Sequence, residues 1–271
     1  LRPGQAGLTG RMIDAWLNLP DPLVIGLLVV GFGLSAFLCS WLSFSPRTRP
    51  TVATYQGVVA PFFVSTGTLF ALMAAFLGSS VHEAARSGAN AVMMEREGAV
   101  QLMDLALALP DRGHTERLIG LTRDYARAVV QHEWQMPPGR FSAPEADTAY
   151  RRLLDAIADT EIWTSAKPPM QRALLDAAQE ISSGRLTRLS VRGKQVDQIA
   201  WVGVLLLGVL AQWSVGAVHL DRRRPQGLAL ALTTSAIIAA LSVVALSERP
   251  FSGWMSLSPA PLAELLDRVK P

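Results

Sequence analysis

Residues Leu23 to Phe44 read LVIGLLVVGFGLSAFLCSWLSF, without one charged side chain. The uncharged run is longer still, a gap of 25 residues between Asp21 and Arg47. A helix needs about 20 apolar residues to cross the hydrocarbon core of a bilayer. Three further gaps pass the same test: 32 residues between Arg49 and His82, 21 between Asp197 and His219, and 23 between Arg224 and Glu248. They predict spans near Leu23–Phe44, Val58–Ser79, Ile199–Val218 and Leu228–Leu246. The fold class is then all-α: an integral membrane protein with two transmembrane hairpins flanking a helical extramembrane domain. The lipid bilayer is the first partner.

Composition agrees. Half of the 271 residues are hydrophobic and 17% are charged, against roughly 25% in soluble domains. The net charge is +3 with the arginines spread out, which argues against nucleic acid as a partner. A single cysteine, Cys39, excludes an intrachain disulfide and a cysteine-based zinc site. Tryptophans mark the span ends, because the ring is apolar and its N–H wants water. Trp41 closes the first span, Trp201 opens the third, Trp254 follows the fourth, and Trp16 sits on a short amphipathic stretch. The first run is too long for a signal peptide and lacks a small-residue cleavage site. Leu38 before Cys39 argues against a lipoprotein signal.

Four parts follow: 1–80, an amphipathic stretch and the first hairpin; 81–198, the helical domain; 199–247, the second hairpin; and 248–271, a C-terminal segment. In the helical domain the second span runs on to Leu109, where Pro110-Asp111 stops it. Thr115 is the expected cap of the next helix. Leu118, Leu121, Tyr125, Val129 and His132 trace its inner face, and Pro137-Pro138 ends it. Pro144 opens a helix with Leu153, Leu154 and Ile157 inward. Pro169 opens another with Met170, Leu174, Ala177 and Ile181 inward, and this one can continue into the third span. Ser182-Ser183-Gly184 is its expected weak point, since glycine costs about 1 kcal/mol in a helix.

Catalytic motifs are not found, and the chain is expected not to be an enzyme. Gly31-Phe32-Gly33 mimics a dinucleotide fingerprint but lies mid-span, where close helix packing is the simpler reading. No cofactor or metal is expected, because no histidines sit at i, i+4. His82 and Glu83 stand at the mouth of the second span, with Arg86 one turn on. His132 reads as a satisfied core histidine.

The second span has organised content. Gly67, Ala71, Ala75 and Ser79 form a small-residue stripe that lets another helix approach closely. Ser65, Thr66 and Thr68 add hydroxyls, and Phe62, Phe63, Phe70 and Phe76 add rings. Such a helix suits either a packed bundle or a pore whose hydrophobic neck gates by dewetting. Phe63, Thr66 and Phe70 are the pore-lining candidates, and His82, Glu83 and Arg86 the pore-mouth candidates. No span holds a charge, which disfavours a proton relay or ion-coupled transport.

Two stretches are distinctive: Tyr125-Ala-Arg-Ala-Val-Val-Gln-His-Glu133-Trp134, and Glu248-Arg249-Pro250-Phe251-Ser252-Gly253 followed by Leu257-Ser258-Pro259. With the two-hairpin layout they resemble the bestrophin-like family of prokaryotic membrane proteins. The asparagine frequent after the second span in that family is missing; the matching run here is Glu97-Gly98-Ala99. The resemblance implies a homo-oligomer, a pentamer in true bestrophins, with the second span around a pore for small anions such as chloride. It also implies a prokaryotic inner membrane. In the last motif Pro250 ends the helix, Gly253 permits a positive φ, and two readings stay open: Phe251 plugs back against the bundle with Arg249 pairing to a carboxylate or a helix C-terminus, or the motif is a simple interfacial turn with Arg249 touching headgroups.

Orientation is contested. Each hairpin loop carries +2, Arg47 and Arg49 in one and Asp221 to Arg224 in the other. Arginine-rich short loops stay cytoplasmic, which places the helical domain outside. Arg185, Arg188, Arg192 and Lys194 pull the other way, as does a bestrophin arrangement. Two function classes stay open: an oligomeric anion channel, and a non-conducting sensor or scaffold whose helical domain binds a ligand or partner. A channel needs a ring of second spans, whereas a sensor needs only a dimer and an effector partner.

Overall fold

The computed structural model describes residues 8–53, 59–134, 136, 142–159, 167–194, 196–220 and 222–268. Every regular element among them is helical. Val58, Pro137-Pro138 and Asp221 lie outside the described residues. The chain forms two compact units. One comprises residues 1–83, 195–249 and 253–255, and the other residues 84–194, 250–252 and 256–271. The C-terminal segment is thus shared between them and is not a part of its own.

The first unit holds α1 (Leu8–Leu17), α2 (Asp21–Phe44), α3 (Arg49–Ala53), the first part of α4 (Val59–Leu107), and the pair written here α8 (Gln198–Val218) and α9 (Arg223–Ser247). Four helices, namely α2, α4, α8 and α9, are long and apolar enough to cross a membrane. Helices α2, α8 and α9 pack on one another through a core of Leu28, Phe32, Val204, Ile237 and Leu241. Gln212 of α8 lies fully buried there. Its Nε2 donates to the Phe32 carbonyl at 3.0 Å and to Thr234 Oγ1 at 2.6 Å. One amide therefore ties three helices together in a setting where water offers no alternative partner. Gln226 repeats the device, donating to the Gly216 carbonyl at 2.6 Å.

Two expectations fail in this unit. Trp201 is not a headgroup anchor: it is fully buried and stands edge-on to Trp16 at 5.3 Å. Its position is in phase with Val204, Gly208, Ala211 and Val215, so the ring turns into the bundle. Gly31 and Gly33 mediate no close packing, since a Cβ at either would meet nothing within 4 Å. Trp41 and Trp254 are exposed, and Cys39 is buried.

The second unit holds the remainder of α4, α5 (Arg112–Ala128), a π-turn (Val129–Glu133), α6 (Pro144–Ile157), α7 (Pro168–Arg192) and α10 (Ala260–Ala263). Prolines in the first turn start α6 and α7, where their missing N–H costs nothing. Asp111, not Thr115, caps α5 by accepting from His114 N at 3.0 Å. The shorter carboxylate lies one turn earlier, and Thr115 is spent on the Ala106 and Asp111 carbonyls. Helix α7 runs straight through Ser182-Ser183-Gly184 and stops at Arg192, and α8 starts at Gln198. Gly184 survives inside it because the site needs a missing side chain. A Cβ there would lie 2.5 Å from Glu95 N and 2.9 Å from the Ala91 carbonyl oxygen. Gly98 of α4 meets α7 in the same way, 2.8 Å from Ile181 N. The two backbones cross in contact. Around the crossing Leu102, Met103, Leu118, Leu153, Leu174 and Ile181 close the core, each contributing roughly 1.5–3 kcal/mol.

Candidate functional site

The second-span residues divide between two faces of α4. Thr66, Phe70, Met73 and Leu77 turn toward α8 and the rest of their own unit. Thr66 Oγ1 lies 3.3 Å from Ser214 Oγ, and a Cβ on Gly208 would touch the Phe70 ring at 3.3 Å. Phe63, at the end of that face, is 40% exposed. This departs from the expectation that Phe63, Thr66 and Phe70 share an open lumen. Ser65, Thr68, Leu72, Ala75 and Ser79 point away from the unit and are exposed. The small-residue stripe winds from half-buried Gly67 to exposed Ala71, Ala75 and Ser79. A Cβ on Gly67 would meet nothing within 4 Å, so no helix among the described residues packs against the stripe there. His82, Glu83 and Arg86 are exposed.

The strongest concentration of chemistry lies in the second unit and is a buried charge cluster. Arg188 of α7 is 1% exposed, and Glu95 and Glu133 are fully buried. Arg188 Nε donates to Glu95 Oε2 at 2.7 Å, and its Nη2 reaches Glu133 Oε1 at 2.6 Å. Arg185 bridges Glu133 Oε2 at 2.5 Å and Asp147 Oδ1 at 2.6 Å. Tyr125 donates its hydroxyl to Glu95 Oε1 at 2.5 Å, and Ala143 N donates to Glu133 Oε2 at 3.2 Å. The Arg188 guanidinium also lies over the Trp134 ring, 5.5 Å from its centre. Arg192 closes the end of the π-turn by donating to the carbonyls of Glu133, Trp134 and Met136.

The π-turn sets this geometry. Its bonds run i to i+5, as Trp134 N to Val129 O at 2.8 Å, so one extra residue enters the turn. That shifts the phase by one position. His132, expected in the core, becomes exposed, and Glu133 takes its place inside. Tyr125, Glu133 and Trp134 of the first distinctive stretch are therefore cluster members.

Glu95, Arg185 and Arg188 escaped the sequence reading. Their signal was a charge in phase with an apolar face: Glu95 among Ala91, Val92, Ala99 and Leu102, and Arg185 and Arg188 in register with Leu174 and Ile181. An acid and a base on two inward faces pair across the crossing. The arginines read earlier as surface charges near the third span are mostly not surface charges. Arg185 and Arg188 are buried, and Arg192 is half-buried and held by carbonyls.

Burial opposes charge on Glu133, but the Arg185 and Arg188 guanidiniums outweigh it and hold its carboxyl below the usual carboxylate range. Burial likewise opposes charge on Asp147, and the Ser142 hydroxyl and Arg185 lower it. Burial, then the Glu95 charge, push the Tyr125 phenol well up. The cluster is thus built to stay ionised. Depressed carboxyl values contribute stability that is complete above the unfolded range, about pH 4, and is lost as pH falls through the folded values. Thermal melts in detergent should be flat from neutral to about pH 5 and then fall. Glu133→Gln should shallow the acid limb; an unchanged limb would place the acid sensitivity elsewhere.

In the second motif Gly253 has φ +86°, the conformation expected of it. Asp21 accepts from Trp254 N at 2.6 Å. Phe251 does not plug against the bundle: it is buried in the core of the second unit and stands edge-on to Trp134 at 5.5 Å. Ser252 is exposed and Pro250 buried. Arg249 Nη2 is buried with no hydrogen-bond partner among the described residues. Burial lowers its pKa, against the attraction of the Asp21 charge.

A family model described as the bestrophin-like domain matches residues 30–262. The chain belongs to the bestrophin-like family. No curated protein and no solved structure gives a significant match. The match runs from within the first span of this bestrophin-like protein to α10, and so takes in most of that span, the other three, the charge cluster and both distinctive stretches.

Proposed function

We propose that this bestrophin-like protein is a non-enzymatic, oligomeric channel for small anions in a prokaryotic inner membrane, with α4 facing the pore. The observation that carries the reading is the nakedness of α4. Only 6% of its membrane window is buried within the chain, against 22%, 39% and 33% for α2, α8 and α9. A helix that packs so little on its own chain, yet carries hydroxyls and small residues, suits neighbouring copies around an axis better than lipid alone. The face turned away from the unit, with Ser65, Thr68, Leu72 and Ala75, is small and mildly polar, its Thr68 hydroxyl bonded to the Val64 carbonyl at 2.8 Å, with an apolar neck at Leu72. Phe76, one turn beyond Leu72 and exposed on the same face, is the ring nearest that role, while Phe70 acts by packing on α8. With no fixed charge in the lining, weakly hydrated anions pass most easily. The number of copies is five if the relation to bestrophins extends to assembly. The two arginine-bearing hairpin loops favour a helical domain outside the cytoplasm.

The test uses purified protein in chloride-loaded liposomes. In a Cys39→Ala background, single cysteines at Ser65, Thr68, Leu72 or Phe70 are treated with a charged thiol reagent. Flux should change at Ser65, Thr68 and Leu72 and hold at Phe70. Absence of anion flux at any pH, calcium level or voltage, with a dimeric mass in detergent, would replace the channel by the sensor or scaffold.

A further inference from the structure

We infer that the groove between α5 and α6 in the helical unit binds a small zwitterion carrying a separated amine and carboxylate. The groove is an open pocket of about 480 Å³, within the usual range for small-molecule sites, roughly 300–1,000 Å³. Ala128 and Ala149 are among its lining residues, and their short side chains leave the space open. Its polar lining is in two states. Arg127 and Asp124 already satisfy each other at 2.6 Å. Glu145 and Arg152 do not: neither makes an ion pair among the described residues, and both line the cavity.

These two charges stand seven residues apart on α6, about 10 Å along the helix axis. Helical ion pairs close at three or four residues, not seven. Glu145 and Arg152 therefore share one face without neutralising each other directly. A molecule with an ammonium at one end and a carboxylate at the other bridges them. Thr148 stands between them on the same helix, and Gln131 faces from the π-turn. The lining holds one free acid and one free arginine, so it favours a neutral zwitterion over a simple anion.

The π-turn gives the groove its reach into the protein. It turns Gln131 and His132 to the cavity and the next residue, Glu133, onto Arg185 and Arg188. A rare helix distortion that serves both a cavity and a buried charge cluster is the kind that marks functional sites. The inference is independent of ion conduction.

The experiment is calorimetric titration of the protein in detergent with γ-aminobutyrate and with 6-aminohexanoate. Butyrate and butylamine serve as half-ligands. At least one zwitterion should bind, and each half-ligand should bind at least about tenfold more weakly. Glu145→Gln and Arg152→Gln should each weaken the zwitterion by about tenfold or more. Both side chains are exposed, so melting temperatures should hold and the loss is attributable to the groove. Ala149→Leu, which fills the cavity, should abolish binding. Three results would overturn the inference: no binding of either zwitterion at millimolar concentration, butyrate binding as well as γ-aminobutyrate, or full affinity in Glu145→Gln.

Discussion

Arg188→Met is expected to unfold the helical unit or bring it to the edge of unfolding. The change removes the guanidinium that pairs with both Glu95 and Glu133, each fully buried. Two carboxylates would stay behind, with Arg185 still on Glu133 but only the Tyr125 hydroxyl on Glu95. Breaking a buried pair by removing one partner costs about 3–5 kcal/mol, because the remaining charge is uncompensated. Whole domains have only about 5–15 kcal/mol of stability, so one substitution removes a large fraction. Arg188→Lys should do nearly as badly. A single ammonium cannot span two carboxylates in the planar fork geometry, nor lie flat on the Trp134 ring. Glu95→Gln combined with Arg188→Met removes the orphaned charge and should recover part of the loss. Near-ultraviolet circular dichroism melts in detergent read these effects directly. A melting temperature for Arg188→Met within a degree or two of the parent would mean that water reaches the cluster and the pairs carry little.

How much of this was legible in the chain depends on which physics left a mark in one dimension. The spans were legible because lipid forbids charge over some twenty residues, and the gap from Asp21 to Arg47 records that directly. The inner faces of α6 and α7 were legible from Leu153, Ile157, Leu174 and Ile181 for the same reason in a helical period. The phase of α5 was legible as far as Val129 and then lost. A π-turn adds a residue without any breaker in the sequence, so His132 and Glu133 exchanged places. Trp201 was misread because tryptophan prefers both interfaces and tightly packed interiors. Only the phase with Val204 and Ala211 separates the two. The contact of Phe70 with α8, whose Gly208 makes room for the ring, left no mark in the sequence of α4 alone. The charge cluster was half legible. Tyr125, Glu133 and Trp134 stood out by family resemblance, while Glu95 and Arg188 needed the crossing of α4 and α7 to bring together residues far apart in sequence.

That crossing yields the second large effect, for Gly184→Ala. By intrinsic propensity the substitution should help, since alanine is favoured over glycine in a helix by about 1 kcal/mol. The crossing reverses the sign. The new Cβ would sit 2.5 Å from Glu95 N, 2.8 Å from Glu95 Cα and 2.9 Å from the Ala91 carbonyl oxygen. All three are backbone atoms, so no side chain can swing aside, and α7 must move away from α4. Overpacking of this kind costs about 1–3 kcal/mol from the strain alone. The displacement also lengthens the bonds from Arg188 to Glu95, which lies at the contact itself. A net loss of about 2–4 kcal/mol is expected once the propensity gain is offset. Gly120→Ala is the internal control. It lies in α5, and a Cβ there meets nothing within 4 Å, so it should stabilise by about 0.5–1 kcal/mol. Opposite signs for the two substitutions, read as melting temperatures of the same protein in the same detergent, would follow from backbone contact at Gly184. Stabilisation by both would mean that α4 and α7 stand further apart than 2.5 Å from that Cβ allows, and that the charge cluster alone holds them together.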